Sequence, residues 1–536
     1  MAHYRDRARD WALWLTRQRS VTGTPGEAAL AQRLAERIRA TPALAGAEVW
    51  TIGCGDALGR ECCAVLVRGQ GPDTVLLTGH FDTVTDADYG DLQPVACEPE
   101  ALAGALLRRL ASPGTSAERL AKADLESGDF LPGRGLLDMK AGLGAALAAL
   151  ELWAAGPERA GNLLFVAVPD EEVTSVGARA LAEALPQIAA ERGLAVRAAI
   201  NCDCVTDEGD GSLGQVVALG SVGKLLVTAL VAGVPAHASQ PYEGLNAGAI
   251  AAALVARAEW APELADGQEG AAGIPPVLLS LRDGREGYDV TTPATVFATW
   301  NVLSQGRGAM ATLGAFRAIA LEAAAGLAAA LAARQEAVTG RPAEVPGIPV
   351  STLAELAASL PEAAAERLAA RATALGSEGL SLPDQNRLLA EEAWRLSGRS
   401  GPAILLGFGA LPYLPVHLGH GPEAQGLRAA LDRARAAVEA AHGCRIGTME
   451  FFPGISDLSF FGEGDASEVP FMAANTLAWG ATGWSGRIAN LPAVNVGPWG
   501  RSYHTPLERL HAPYAFDVLP DFLLRIAREV LATGGR

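Results

Sequence analysis

Three short apolar runs constrain this chain more than any other feature, because each one ends in ionisable residues. Thr74–Thr78 leads into Gly79-His80-Phe81-Asp82, Asn162–Val168 into Pro169-Asp170-Glu171-Glu172, and Ala198–Cys202 into Asp203. Such runs, separated by helical spacing like that of Ala141–Trp153, read as buried strands of a sheet with helices on both faces. Sheets of that kind build their sites just beyond the carboxyl ends of the strands. The pattern therefore predicts an α/β fold with an acidic, histidine-bearing rim.

Around Gly220 the pattern changes. Lys224–Gly233 and Thr295–Val302 read as longer strands with a helix near Ala247–Trp260 between them, as in an antiparallel sheet with one face covered. Residues 309–397 are nearly all Ala/Leu/Glu/Arg helix, interrupted at Arg341–Pro349. A strand at Ala403–Phe408 follows, then a helix at Ala424–His442, a strand at Thr448–Phe452 and a last helix at Phe516–Thr533. The layout expected is one α/β domain with a mixed central sheet, formed by 1–219 and 416–536. An α+β domain, 220–415, is inserted into it and enlarged by the helices of 309–397.

Composition narrows the partners. The 536 residues carry 43 basic against 60 acidic side chains, a formal charge of −17. Such a surface repels nucleic acid and anionic lipid. No run of 18 residues lacks charges or turn residues, and the first residues lack the apolar core of a signal peptide. Seven irregularly spaced cysteines argue against a disulfide framework, so the cytoplasm is the expected compartment.

Each candidate residue has a plain structural reading beside the chemical one. His80 and Asp82 lie two apart, so in an extended chain the acid points the same way as the histidine and can orient it; the alternative is a loop histidine with a capping aspartate. Asp138 follows Gly133-Arg134-Gly135 at a helix start, where an N-cap is the common role. Asp170-Glu171-Glu172 is either a solvated turn or a set of repelling carboxylates that a cation relieves. Cys202-Asp203-Cys204 invites a thiolate metal site, but no second cysteine pair completes one; Asp203 is taken as the ligand and the cysteines as packing. His504, in Gly497-Pro-Trp-Gly-Arg-Ser-Tyr-His504-Thr-Pro506, is weak alone. The combination is strong.

Taken together, Gly79–Val84, Gly133–Lys140, Glu171-Glu172, Asp203, Gly233-Val-Pro-Ala-His237-Ala-Ser239 and His504 resemble the dinuclear zinc aminoacylase and carboxypeptidase family, which includes succinyl-diaminopimelate desuccinylase. The motifs keep the family's order over nearly the whole chain. The long stretch from Asp82 to Asp138, Ile455-Ser-Asp-Leu-Ser459 and the Gly-Pro-Trp-Gly…His ending look closest to its arginine-utilisation (RocB-like) branch.

The resemblance implies a zinc-peptidase-like catalytic domain with a lid and dimerisation domain inserted. It implies two zinc ions bridged by Asp138, one held also by His80 and Asp203, the other by Glu172 and His504. Cobalt or manganese suits the same N/O set. Asp82 would orient His80, and Glu171 would be the general base. His237 would reach a neighbouring subunit's site in a homodimer, with a surface histidine as the alternative. Asn246 matches a substrate-contact position, and also suits a helix N-cap. One departure stands out: where many relatives carry a carboxylate-binding arginine, this chain reads Thr299-Trp-Asn-Val302. That departure argues against ordinary carboxypeptidase or dipeptidase specificity, although a different acid-binding group could lie in the helical insertion or at Arg282-Asp-Gly-Arg285. The favoured reading is a hydrolase of a small N-acyl amino acid or similar amide. A small-peptide exopeptidase and a non-catalytic binding protein that kept the fold are the alternatives.

Overall fold

The computed structural model describes residues 2–157, 159–207, 214–268, 272–285, 287 and 290–533. The chain opens with helices α1 (Ala2–Arg17) and α2 (Pro25–Arg39), then strands β1 (Glu48–Gly53), β2 (Glu61–Val67) and β3 (Gln70–His80). A helical hairpin, α3 (Pro99–Arg109) and α4 (Ser116–Ser127), and the short β4 (Phe130–Pro132) precede α5 (Ala141–Ala155). Next come β5 (Ala160–Val168), α6 (Val176–Arg192), β6 (Ala195–Asn201), β7 (Val205–Asp207), β8 (Val216–Ala218) and β9 (Gly220–Ser221).

Then follow β10 (Gly223–Ala232), α7 (Ala247–Ala258), β11 (Val277–Asp283), β12 (Thr295–Ser304) and α8 (Ala309–Thr339). After them run β13 (Val350–Thr352), α9 (Leu353–Ala358), α10 (Glu362–Gly376), α11 (Leu382–Leu396) and β14 (Ala403–Phe408). The chain closes with β15 (Val416–His417), α12 (Pro422–His442), β16 (Gly447–Met449), α13 (Leu458–Phe461) and α14 (Val469–Ala474). Last are β17 (Ala493–Asn495), β18 (Trp499–Arg501), β19 (Arg509–His511) and α15 (Leu519–Thr533).

Two compact units result. The first comprises 1–221, 416–464 and 487–536, and the second 222–415 and 465–486. Sequence patterning places all of 416–536 in the first unit. Residues 465–486 instead pack with the second: Asn475 accepts hydrogen bonds from Phe408 N at 2.9 Å and, through Oδ1, from Ala354 N at 3.2 Å. The signal is invisible along the chain, because Asn475 meets partners that lie far upstream.

In the first unit an eight-stranded mixed sheet runs β1-β2-β5-β3-β6-β17-β8-β16. Its middle, β5-β3-β6-β17, is parallel. These strands are buried on both faces, which is why they read as unbroken apolar runs. Adjacent residues of β2 show the two covers: Cys63 joins the core beneath α2, α5, α12 and α15, while Cys62 Sγ meets Gly177 O of α6. A smaller sheet, β4-β19-β18-β7, carries the late Gly-rich segment.

The second unit holds the sheet β11-β12-β10-β14-β13, antiparallel except at β13–β14. Sequence patterning points to one covered face, whereas both are covered. Trp300 packs on Phe316 of α8 on one side, and Leu230, Phe297 and Leu405 meet the Leu-rich faces of α9–α11 on the other. The helical insertion thus supplies the second cover. Among the described residues, α8 is the one helix long and apolar enough to cross a membrane by length and composition. Its buried positions Leu313, Phe316, Ala320 and Ala324 recur at helical spacing on the face that meets α7 and β14.

Candidate active site

The rim predicted at the strand ends exists. His80 closes β3, Glu171 and Glu172 follow β5, and Asp203 follows β6, so parallel pairing sets them side by side. Asp138 enters from the turn before α5, and His504 from the β18–β19 connection. Close approach of backbone makes this possible. A Cβ at Gly79 would collide with the Met139 side chain, and one at Gly497 with the Asp203 carbonyl.

Two triads share Asp138. His80 Nε2 lies 3.1 Å from Asp138 Oδ1 and 3.7 Å from Asp203 Oδ1. His504 Nε2 lies 3.0 Å from Asp138 Oδ2 and 3.2 Å from Glu172 Oε2. Two ligand atoms each about 2.0–2.1 Å from a tetrahedral ion stand roughly 3.3 Å apart, so both triads fit an ion in their middle. Glu171 Oε2 is 3.9 Å from His80 Nε2, close enough to group with His80 and Glu172 in a third set, but farther than either aspartate.

The electrostatics ask for cations. Burial, above all, pushes the Glu171 carboxyl well up, and Asp203, Asp457 and Glu172 add to it. Burial raises Glu172 and Asp203 too, with Asp138 reinforcing both. Both histidines respond by holding protons: burial opposes it, but carboxylate partners raise His80 well above its usual value and His504 to about 10. Neighbouring bases do not relieve the cluster. Lys140 Nζ donates to Gln18 O at 2.9 Å, and Arg60 is engaged by Asp56, Asp170 and Glu27. A cavity of about 210 Å³ opens over the acids, lined also by Cys204, Phe452, Ile455 and Tyr503.

Supporting residues hold each ligand. His80 Nδ1 sits 3.1 Å from the Asp82 carbonyl and 3.5 Å from Asp82 Oδ1. The Asp82 carboxylate also accepts from the backbone N–H of Glu171 and Glu172 and from Thr22 Oγ1, at 3.1, 3.3 and 2.8 Å. It therefore orients the acidic turn as much as the histidine.

Three supporting groups escape sequence reasoning. Asn495 of β17 clasps Asp203 through its peptide N–H and carbonyl, at 3.2 and 2.9 Å. Glu508 accepts from Gly135 N at 3.0 Å and Arg134 Nη1 at 2.7 Å, fixing the turn before Asp138. Thr22 lies in the break between α1 and α2. Only Glu508, an acid four places after His504, leaves a local trace. Asp457, in the Ile455–Ser459 motif, is buried nearby, and burial followed by its acidic neighbours lifts it to about 7.

The cysteines behave as expected: all seven are free, and Cys202 and Cys204 pack into the cores with burial raising their thiols. The second unit holds the remaining candidates. His237 is exposed, its Nδ1 2.7 Å from Ser239 Oγ. Asn246 caps α7, Oδ1 accepting from Gly248 N at 2.8 Å. Arg282 pairs with Asp384 and Arg285 with Asp283, so the turn considered for an acid-binding group is engaged internally.

Comparisons with known proteins bear on the family and the fold. The family model of peptidase family M20/M25/M40 matches residues 113–489. The chain is 30% identical over 522 residues to the uncharacterized protein YqjN of Bacillus subtilis, covering 95% of this chain and 93% of that one. It is 29% identical over 521 residues to the protein RocB of the same organism, covering 94% and 91%. Among solved structures it is similar to a tripeptidase from Staphylococcus aureus, with a TM-score of 0.53 at 15% identity over 99% of both chains. A metallo-carboxypeptidase from Sulfolobus solfataricus gives 0.50 at 13% identity, over 98% of this chain and 99% of that one. These structural likenesses concern the fold.

Proposed function

Because the chain belongs to peptidase family M20/M25/M40, and is a metal-dependent hydrolase of peptide-like substrates, we propose that it cleaves the amide bond of a small N-acyl amino acid with Glu171 as general base. The observation that carries the reading is the pair of triads sharing Asp138, with Glu171 beside them. His80, Asp138 and Asp203 would hold one divalent ion, and Asp138, Glu172 and His504 a second. Mixed N and O donors suit zinc, with cobalt or manganese as alternatives. Such ions would polarise a carbonyl and lower the pKa of bound water toward about 7.

The chain's own residues do the rest. Glu171, left outside the two triads, takes a proton from the attacking water and returns it to the leaving amine. Asp82, through its bonds to the Glu171 and Glu172 amides, keeps base and ligand in fixed register. His237 would stabilise the developing oxyanion in a neighbouring subunit of a homodimer; its exposure and its side-chain contact with the adjacent Ser239 are compatible with that reach. The runner-up, a small-peptide exopeptidase, is disfavoured because β12 offers no arginine for a terminal carboxylate.

The test is amine release from a panel of N-acyl amino acids and dipeptides by metal-loaded wild type and Glu171→Ala. Arginine and ornithine derivatives join the panel because of the likeness to RocB. Turnover by wild type, reduced about 10²–10⁴-fold in Glu171→Ala with metal retained, supports the reading. Wild type that binds metal but turns over no panel member sinks it.

A further inference from the structure

A second cavity lies in the first unit, apart from the one over the acids. It measures about 730 Å³ and lies between the α3–α4 hairpin and the connection that carries His504. Leu106, Leu110 and Leu120 form an apolar wall from the hairpin, and Pro506 and Leu507 close the other side. Tyr503 lines this cavity and also the smaller one over the acids. The two are therefore neighbours through one side chain, next to His504.

Charge sets the larger cavity apart. In a chain of net charge −17, it is lined by Arg109, Arg501 and Arg509 and by a single carboxylate, Glu118. Glu118 is already engaged, accepting from the Gly114 and Thr115 amides at 2.8 and 2.9 Å to cap α4. Arg509 is buried and holds the His504 connection, donating to Ser502 Oγ and Leu507 O at 3.2 and 2.9 Å, and its Nε and Nη2 pair with Asp124 Oδ2 at 2.7 and 2.6 Å. Arg501 is mostly buried; Asp124, behind it, meets its Nη1 at 2.7 and 2.9 Å, and its guanidinium lies over Phe130 and Trp499. That packing fixes where the cation stands. Arg109 is half exposed and pairs across the surface with Asp91 at 3.2 Å, a contact of the kind that contributes little.

Resting on the hydrolase reading, we propose that this cavity is a specificity pocket for the part of the substrate remote from the scissile bond, and that it takes an extended group ending in a carboxylate. An apolar wall suits the methylene chain, and fixed guanidiniums suit the carboxylate at its end. The pocket supplies, from the α3–α4 hairpin and the His504 connection, recognition of an anion remote from the scissile bond, a role different from that of the terminal-carboxylate arginine that β12 lacks. A guanidinium-bearing group is excluded from it by like charge.

Two measurements test the proposal separately from the chemistry. The first is the kcat/KM ratio for N-glutaryl over N-pentanoyl forms of one amino acid, and for N-acetylglutamate over N-acetylglutamine. A carboxylate on the acyl side or on the amine side tells which end of the substrate enters. Wild type should prefer the anionic member of one pair about tenfold or more, and Arg109→Gln or Arg501→Lys should shrink that preference severalfold. The second is calorimetric binding of glutarate to the metal-free chain, whose acidic rim repels it. Binding should weaken at least threefold in Arg109→Gln, a surface change that leaves the Asp124 network in place. Equal rates for both members of both pairs, or glutarate binding that is absent or indifferent to both substitutions, overturns the pocket. A panel that is not hydrolysed at all, with glutarate binding intact and Arg109-dependent, instead overturns the hydrolase reading and leaves the anion pocket standing.

Discussion

The acidic rim of the first unit and the Gly233–Asn246 segment of the second carry residues of the same kinds, yet they are held quite differently. On the rim every candidate ligand meets other candidates within 4 Å, and Asp82, Asn495 and Glu508 brace the turns that present them. His237 is exposed and held by its own neighbour Ser239, and Asn246 is accounted for by capping a helix. A rim braced from several strands is a finished device within one chain. His237 bridges through its backbone to Thr291, and on the proposed function its side chain would be completed by a neighbouring subunit. The contrast implies that substitutions of the rim's candidate metal ligands act on metal and rate together, whereas those in the segment separate the two.

His237→Ala is the sharpest way to break that contrast. If His237 donates to the developing oxyanion, kcat falls about 10²–10³-fold while metal content and stability stay at wild-type values. Steady-state rates beside metal analysis by mass spectrometry decide it. An unchanged kcat makes His237 a surface residue and leaves the rim as the whole machine; a loss of metal in step with rate denies the separation between the regions.

A smaller effect is expected from pH, and it acts on the rim alone. In the metal-free protein burial opposes protonation of His504, but Asp138 and Glu172 outweigh it and lift the ring from 6.5 to about 10. A raised value means that protonated His504 stabilises the metal-free fold fully below 6.5, and that this contribution is lost as pH climbs toward 10. A metal ion has to displace that proton, so its affinity rises with pH, about tenfold per unit for each proton released. Titration with zinc between pH 6 and 8.5 should show this slope together with proton release. A flat profile would mean that the histidines are not ligands.

Much of the rim is legible in sequence because its signals are local. A buried parallel strand is an apolar run, and Thr74–Thr78, Asn162–Val168 and Ala198–Cys202 fall within or over the ends of β3, β5 and β6. The ionisable residue that ends each strand sits in the same few positions of sequence. What sequence does not reveal depends on distant partners. Asn495 finds Asp203 across 292 residues and Glu508 finds Gly135 across 373, pairings with no periodicity to announce them. The α3–α4 hairpin is hidden inside the long stretch from Asp82 to Asp138, although the Thr115–Glu118 capping box marks where α4 begins. The second cover of the smaller sheet escapes for a related reason. Leucines of α9–α11 reveal an apolar face but not the sheet it will meet.

Asn246 gives the smallest expected effect and the finest division between the two regions. Its Oδ1 satisfies the Gly248 amide at the start of α7, so Asn246→Ala should cost about 1 kcal/mol, a fall of about 2–4 °C in melting temperature for a unit of this size. A serine there restores a capping oxygen but not the amide. If Asn246 only caps α7, Asn246→Ser recovers both stability and kcat/KM. If it also donates to substrate, Asn246→Ser regains the melting temperature while kcat/KM stays depressed about tenfold, as expected for a lost hydrogen bond to a charged or polarised group. Thermal melts and steady-state rates on the two variants separate these outcomes. Only the second makes Asn246 part of the active machinery; the first confines it to holding its own helix.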